Sequence, residues 1–178
     1  MGGFPPSGAG GPRHCRGETL TPGGAAGSFP GVSRLSIPEY AMALAHVASM
    51  RSEDPYRKVG AAALDADNRV IGTAYNGLAP GFNAPPGFWD DREARQKFML
   101  HAEVNLCSLF RRGEAKLVAT TTMPCTSCMQ TLCANGVREI YYREVYHSSD
   151  APEIARLYGV KLEQVEFNPF DPVEIINR

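Results

Sequence analysis

Two short motifs, P-C-T-S-C at residues 124–128 and H-A-E at residues 101–103, constrain the fold of this chain more than any other feature. Cys125 and Cys128 are three residues apart, a spacing that places two side chains on one face of a helical turn. Pro124 is a natural first residue of a helix, and a helix N-terminus favours the thiolate form of nearby cysteines. The chain must therefore fold so that the start of a helix presents two sulfur atoms to a common point.

His101 can supply a third ligand for a metal ion at that point. Cysteine and histidine are ligands that zinc prefers, and three protein ligands leave the fourth tetrahedral position to water, as in a catalytic zinc site. Glu103, two residues after His101 at the same predicted helix start, is placed to act as a general acid and base. The sequence therefore predicts Zn²⁺ bound by His101, Cys125 and Cys128, with Glu103 as the catalytic residue.

The two motifs are informative only together. A lone C-x-x-C is often a redox pair or half of a structural zinc site, and H-A-E alone is weaker still. In this order, about twenty residues apart, with a strand predicted between them, they match the signature of zinc-dependent nucleobase deaminases. The pairing predicts hydrolysis of the amino group of a cytosine, with Glu103 carrying the protons.

Composition restricts the class of protein. With 178 residues, 43% of them hydrophobic, the chain is suited to one globular domain. Its net charge of −1 argues against a protein that binds along a nucleic-acid backbone, which requires many basic residues. The longest apolar run, at residues 40–45, is far short of the roughly 20 residues of a membrane helix, so no membrane association is expected.

The five cysteines are an odd number, and no apolar secretory leader precedes the predicted domain. A disulfide framework is therefore not expected, and thiolate or metal chemistry in a reducing cytoplasm fits better. Residues 1–35 contain ten glycines and five prolines but few aliphatic residues. Burial of so little apolar surface cannot offset the entropy lost on ordering, so this segment is predicted to form a disordered tail. Residues 36–178 are predicted to form the zinc-dependent deaminase domain.

The pattern of helix caps, β-branched residues and turns predicts an alternation of helices and strands. Ser36, Pro38 and Glu39 have the spacing of a capping box. Two strands joined by D-A-D-N at residues 65–68 predict an antiparallel hairpin, and the later strands should be parallel neighbours with helices on both faces of the sheet. Predicted helices cover residues 36–51, 90–98, 101–112, 124–135 and 150–158, predicted strands cover 59–64, 70–75, 116–122, 139–142 and 160–167, and residues 77–86 are a predicted loop.

Six motifs lie between residues 35 and 167: R-S-E-D-P (51–55), V-G-A (59–61), Y-N-G (75–77), H-A-E-V-N (101–105), P-C-T-S-C (124–128) and Y-H-S-S-D (146–150). Through these motifs the sequence resembles the deoxycytidylate (dCMP) deaminase family of the cytidine deaminase superfamily. The resemblance implies an α/β fold with three α/β/α layers, the cytidine deaminase-like fold, around a five-stranded mixed sheet. It also implies that Asn76 bonds the sugar, that the Ala102 backbone reads the pyrimidine edge and that Tyr146 borders the base or phosphate pocket.

The same resemblance implies a homo-oligomer, commonly a hexamer, that is activated by dCTP and inhibited by dTTP. Two departures bear on this regulation. The family usually has glycine before Y-N-G, where this chain has Ala74, and the proline that follows the motif comes one place later, as Pro80. This segment is linked to the effector site in the family. The resemblance therefore supports dCTP and dTTP as effectors less directly than it supports dCMP as the substrate.

Three questions stay open at the level of sequence. The substrate could be dCMP, a modified dCMP or dCTP. A second hypothesis is deamination of a base in tRNA or another polynucleotide, which calls for a more basic surface than this chain has. A third is a non-catalytic zinc module, against which Glu103 argues because a structural site needs no such carboxylate.

Overall fold

Residues 34–167 are described by the computed structural model of the chain. The predicted tail, residues 1–35, therefore lies outside the described residues except for its last two. Residues 168–178 at the end of the predicted domain also lie outside them. The division of the chain into a tail and a domain stays a prediction.

The first helix, α1 (Ile37–Ser49), begins at the predicted capping box. The Ser36 hydroxyl accepts a hydrogen bond from the Glu39 backbone N–H, and the Glu39 carboxylate accepts one from the Ser36 N–H at 2.8 Å. Both bonds satisfy backbone donors that a helix start leaves free. The helix ends two residues before the predicted position, and its buried face includes Ala41, Met42 and Ala45.

Seven strands of residues 34–167 form two sheets. They are β1 (Gly60–Leu64), β2 (Val70–Tyr75), β3 (Gly77–Leu78), β4 (Met99–Leu100), β5 (Leu117–Thr122), β6 (Glu139–Glu144) and β7 (Lys161–Gln164). The main sheet has the order β2-β1-β5-β6-β7, in which β1 is antiparallel to both neighbours while β5, β6 and β7 are parallel. The five-stranded mixed sheet and the antiparallel hairpin are thereby confirmed.

Helices cover both faces of the main sheet. Side chains of α1 pack on one face with Leu117, Ala119 and Tyr141. The opposite face, including Val118 and Ile140, packs against residues from three of the remaining helices. These remaining helices are α2 (Arg92–Phe98), α3 (Ala102–Cys107), α4 (Thr126–Ala134) and α5 (Ala151–Tyr158), of which α3, α4 and α5 contribute to that packing.

The predicted three-layer fold is therefore confirmed. Because β5 is covered on both sides, all six of its residues are buried, and its side chains alternate between the two packed faces. Within residues 34–167, no helix is long and apolar enough to cross a membrane.

The structure corrects several predicted boundaries. Residues 77–86 were predicted as a loop, but Gly77–Leu78 pairs with Met99–Leu100 as a small antiparallel sheet. The helix predicted to reach residue 112 ends at Cys107, because Ser108 and Leu109 instead make tighter i to i−3 backbone bonds. The last strand ends at Gln164 and not at residue 167.

Candidate active site

The two sequence motifs lie at the starts of two adjacent helices. His101 is the N-cap of α3 and Cys125 is the N-cap of α4, while Cys128 is the third residue of α4. The prediction that Pro124 is the first helical residue is wrong, because Cys125 has an extended backbone with ψ of 168°. Neither N-cap side chain makes a capping hydrogen bond. The Cys125 sulfur does lie 3.2 Å from the Ser127 hydroxyl of its own helix.

The three predicted ligands meet at one point. The Nδ1 atom of His101 lies 3.2 Å from the Cys128 sulfur and 3.5 Å from the Cys125 sulfur. All three ligand atoms lie within 4.8 Å of one another, and both cysteines are free of disulfide bonds. Tetrahedral zinc with ordinary bond lengths places nitrogen and sulfur ligands roughly 3.6 Å apart. The donor types and their spacing therefore fit zinc.

The three groups share protons and negative charge in a small volume. Hydrogen bonds from the Cys128 thiol and then from the His101 ring lower the pKa of Cys125 to about 3. The same contact with Cys125, followed by burial, raises the pKa of Cys128. The bond to Cys125 also raises the pKa of His101, against the effect of burial. A divalent cation replaces such shared protons when it binds to thiols and imidazole.

Glu103 is the second residue of α3 and is only 4% exposed. Burial raises the pKa of its carboxyl group, and hydrogen bonding to its own backbone, together with the charge of His101, offsets part of that rise. A further hydrogen bond links the carboxyl to Cys128. A buried carboxyl beside the two sulfur atoms, with a pKa above its ordinary value, holds a proton more readily than an exposed glutamate does.

The Y-H-S-S-D segment holds the start of α4 in place. The Ser149 hydroxyl donates a hydrogen bond of 2.6 Å to the Pro124 carbonyl. The Thr126 hydroxyl donates to the Asp150 carboxylate at 3.0 Å and accepts from the Asp150 N–H at 3.1 Å. In the sequence this segment supports only the family resemblance. Its positioning role is not visible there, because these contacts join residues 24 or 25 positions apart.

A cleft of about 360 Å³ opens beside the predicted metal ligands. Its volume is within the range of small-molecule sites. The Asn76 side chain is partly used by the protein, because its oxygen accepts from the Val59 N–H and its amide donates to the Arg57 carbonyl. One N–H and one lone pair of that amide are left for a ligand. Apart from buried Cys128, every predicted site residue lines the cleft: Asn76, His101, Ala102, Glu103, Cys125 and Tyr146.

Several further residues that line the cleft are not found by sequence reasoning. Arg57, Arg92 and Arg95 line it together with Tyr56. Two of the arginines belong to α2. Trp89 followed by Arg92 resembles a W-R element of the deoxycytidylate deaminase family, but this resemblance does not indicate a place in the cleft. The position of α2 depends on contacts between distant parts of the chain.

Comparison with known proteins places the chain among deaminases. A family model described as the cytidine and deoxycytidylate deaminase zinc-binding region matches residues 35–144. The deoxycytidylate deaminase of Mus musculus is 30% identical over 146 residues, covering 78% of this chain and 82% of that protein. The ComE operon protein 2 of Bacillus subtilis is 34% identical over 146 residues, covering 77% and 75%.

Solved structures share the same fold. The dCMP deaminase of cyanophage S-TIM5, crystallised with dCMP and dUMP, superimposes with a TM-score of 0.63 at 24% identity. The match covers 75% of this chain and 100% of that chain.

Proposed function

This chain belongs to the cytidine and deoxycytidylate deaminase family, and we propose that it hydrolyses dCMP to dUMP and ammonia. One observation carries the proposal. His101, Cys125 and Cys128 present their ligand atoms within 4.8 Å of one another, and buried Glu103 lies beside them in the same cleft. Because relatives of this chain are named deoxycytidylate deaminase, dCMP is proposed as the substrate in preference to other cytosine nucleotides.

We assign Zn²⁺ to His101, Cys125 and Cys128. The two sulfurs and one imidazole nitrogen are typical zinc ligands, and the match to a zinc-binding family region supports the choice. When bound, zinc supplies a Lewis acid that makes a water molecule nucleophilic near neutral pH.

Glu103 is assigned the proton transfers. Deamination adds the oxygen of water to the ring carbon that carries the amine, breaks the carbon–nitrogen bond and releases ammonia. In this scheme the Glu103 carboxylate takes one proton from water and delivers it to the adjacent ring nitrogen. It then takes the second proton from the added hydroxyl and delivers it to the leaving amine, which departs as ammonia while the ring carbon keeps the oxygen as a carbonyl. Burial of Glu103 keeps these transfers apart from bulk solvent.

Three residues are assigned to substrate binding. Asn76 is proposed to bond the sugar through the amide N–H and lone pair that the protein leaves unused. The backbone of Ala102, between His101 and Glu103, is proposed to read the pyrimidine edge. Tyr146 also lines the cleft and is proposed to flank the base or the phosphate.

The cellular setting follows from the same chemistry. The two cysteine ligands must stay reduced, so we propose a cytoplasmic location.

By family resemblance we also propose a homo-oligomer, with a hexamer as the form to test by light scattering. Regulation by dCTP and dTTP is tested by adding each nucleotide to the assay, and Ala74 predicts a weaker response than in relatives that have glycine there.

The deciding experiment incubates zinc-loaded protein with dCMP, modified dCMP, dCTP and a tRNA, and measures ammonia and the deaminated product. We expect turnover of dCMP. Glu103→Ala should lower turnover by at least about 1,000-fold while the zinc content stays at wild-type level, since Glu103 is not a ligand. Absence of turnover with every substrate would refute the proposal, and turnover of tRNA alone would favour the polynucleotide hypothesis.

A further inference from the structure

The cleft carries positive charge that its own carboxylates do not neutralise. Arg57, Arg92 and Arg95 line it, whereas its acidic residues are Asp54 and Glu103. One oxygen of Asp54 is already occupied, because it accepts hydrogen bonds from the backbone N–H groups of Tyr56 and Arg57.

Within the part of the chain that the structure describes, none of the three arginines forms an ion pair with an acidic residue. Among residues 34–167, the ion pairs involve Arg69, Lys116 and Lys161 only. Three unpaired guanidinium groups at a cleft of this size indicate a ligand with negative charge.

Arg95 is the best organised of the three. Its guanidinium lies over the Tyr56 ring, 4.1 Å from the ring centroid, and donates a hydrogen bond to the Trp89 carbonyl. The Tyr56 hydroxyl in turn donates to Asp90 at 3.3 Å, which orients the ring. Arg95 is half-buried, whereas Arg57 and Arg92 are exposed.

A planar guanidinium that is already held loses little freedom when it binds a further group. It also matches two oxygens of a phosphate at once. On the basis of the proposed function, we propose that Arg95, supported by the face of Tyr56, binds the substrate phosphate and selects a nucleotide over the corresponding nucleoside. Arg57, which lies 5.4 Å from the centroid of the Tyr146 ring, adds a second positive charge to the same cleft.

The test compares kcat/KM for dCMP and for deoxycytidine, which lacks the phosphate. Arg95→Gln should lower kcat/KM for dCMP by about 10- to 100-fold, mainly through KM, and change that for deoxycytidine less than about twofold. Arg69→Gln is the matched control, because Arg69 pairs with Asp67 outside the cleft, and should change neither value. Melting temperature and zinc content should stay at wild-type levels in both variants.

A second pair of variants tests the role of the ring. Tyr56→Ala removes the surface on which Arg95 lies and should lower the preference for dCMP by about 3- to 10-fold. Tyr56→Phe keeps the ring and should stay within about twofold of wild type. Equal preferences in Tyr56→Ala and wild type would remove Tyr56 from the proposal.

Binding separates the failure of this inference from the failure of the proposed function. If the wild-type protein deaminates neither compound, the proposed function fails, and calorimetric titration with dCMP still tests the subsite. Weaker dCMP binding by Arg95→Gln, by about tenfold or more, supports the inference. Equal affinity of the two proteins, no dCMP binding by the wild type, or a wild-type preference for deoxycytidine overturns it.

Discussion

Glu103 shows what burial does to one side chain. Its carboxyl group lies at the start of α3, beside the proposed zinc ligand Cys128, and solvent reaches only 4% of the residue. Burial disfavours the charged form, so the pKa rises above its ordinary value of 4.5. The raised pKa that suits the carboxyl to proton transfer also means that its ionisation lowers the stability of the folded protein.

The stability of the metal-free protein should reflect that cost. Because folding raises the pKa of Glu103, its contribution to the free energy of unfolding is largest below pH 4.5. This contribution is lost as the pH rises through the folded-state pKa. Glu103→Gln stays neutral, so its melting temperature should fall less than that of wild type between pH 4.5 and neutral pH. Thermal unfolding across this range measures the difference. The exposed Glu53→Gln variant should follow wild type, and a parallel course for Glu103→Gln would contradict the argument.

Elements of this fold approach one another closely because small residues lie between them. Helix α1 packs on strand β1, where four of the five residues are glycine or alanine. A Cβ atom at Gly60 would lie 1.9 Å from the Ala45 carbonyl oxygen and 2.6 Å from the Ser49 nitrogen. Both are backbone atoms, so relief of the clash requires movement of the whole helix.

Gly60→Ala should therefore destabilise the domain by about 3 kcal/mol or more, at or above the usual cost of overpacking. Chemical denaturation of the zinc-loaded protein measures this loss. Gly77→Ala is the control, because its Cβ would lie 3.6 Å from the Tyr75 ring, an ordinary contact. The control should differ from wild type by less than about 1 kcal/mol. A similar loss in both variants would mean that the close approach of α1 and β1 is not the cause.

Across the whole molecule, the proposed zinc site joins segments that are distant in the chain. His101 and Cys125 are 24 residues apart and begin different helices, with β5 between them. The Y-H-S-S-D segment is joined to the same point through Pro124 and Thr126. A metal ion that binds only the folded state should therefore stabilise the entire domain.

Removal of zinc with a chelator should lower the melting temperature by about 10 °C. Free zinc at about 1,000 times its Kd contributes about 4 kcal/mol, and each kcal/mol shifts the melting temperature of a domain of this size by about 2–4 °C. Re-addition of zinc should restore the original value. His101→Ala should show a much smaller response to chelator, and an equal response would indicate that His101 is not a ligand.

Local spacing determined much of the fold and of the proposed metal site. The capping box at Ser36 and Glu39, the hairpin and the approach of Cys125 and Cys128 depend on residues a few positions apart, and all were predictable for that reason. The helix start after Pro124 was misjudged, since sequence does not show which residue leaves the extended backbone.

Only the tertiary structure decided the surroundings of the cleft. Arg95 lies on Tyr56 across 39 positions of the chain, and Ser149 reaches Pro124 across 25. Such contacts depend on how the helices and strands pack, and the types of the individual residues do not specify them. The sequence by itself therefore determined the chemistry of the proposed metal site, whereas packing decided which charges surround a substrate.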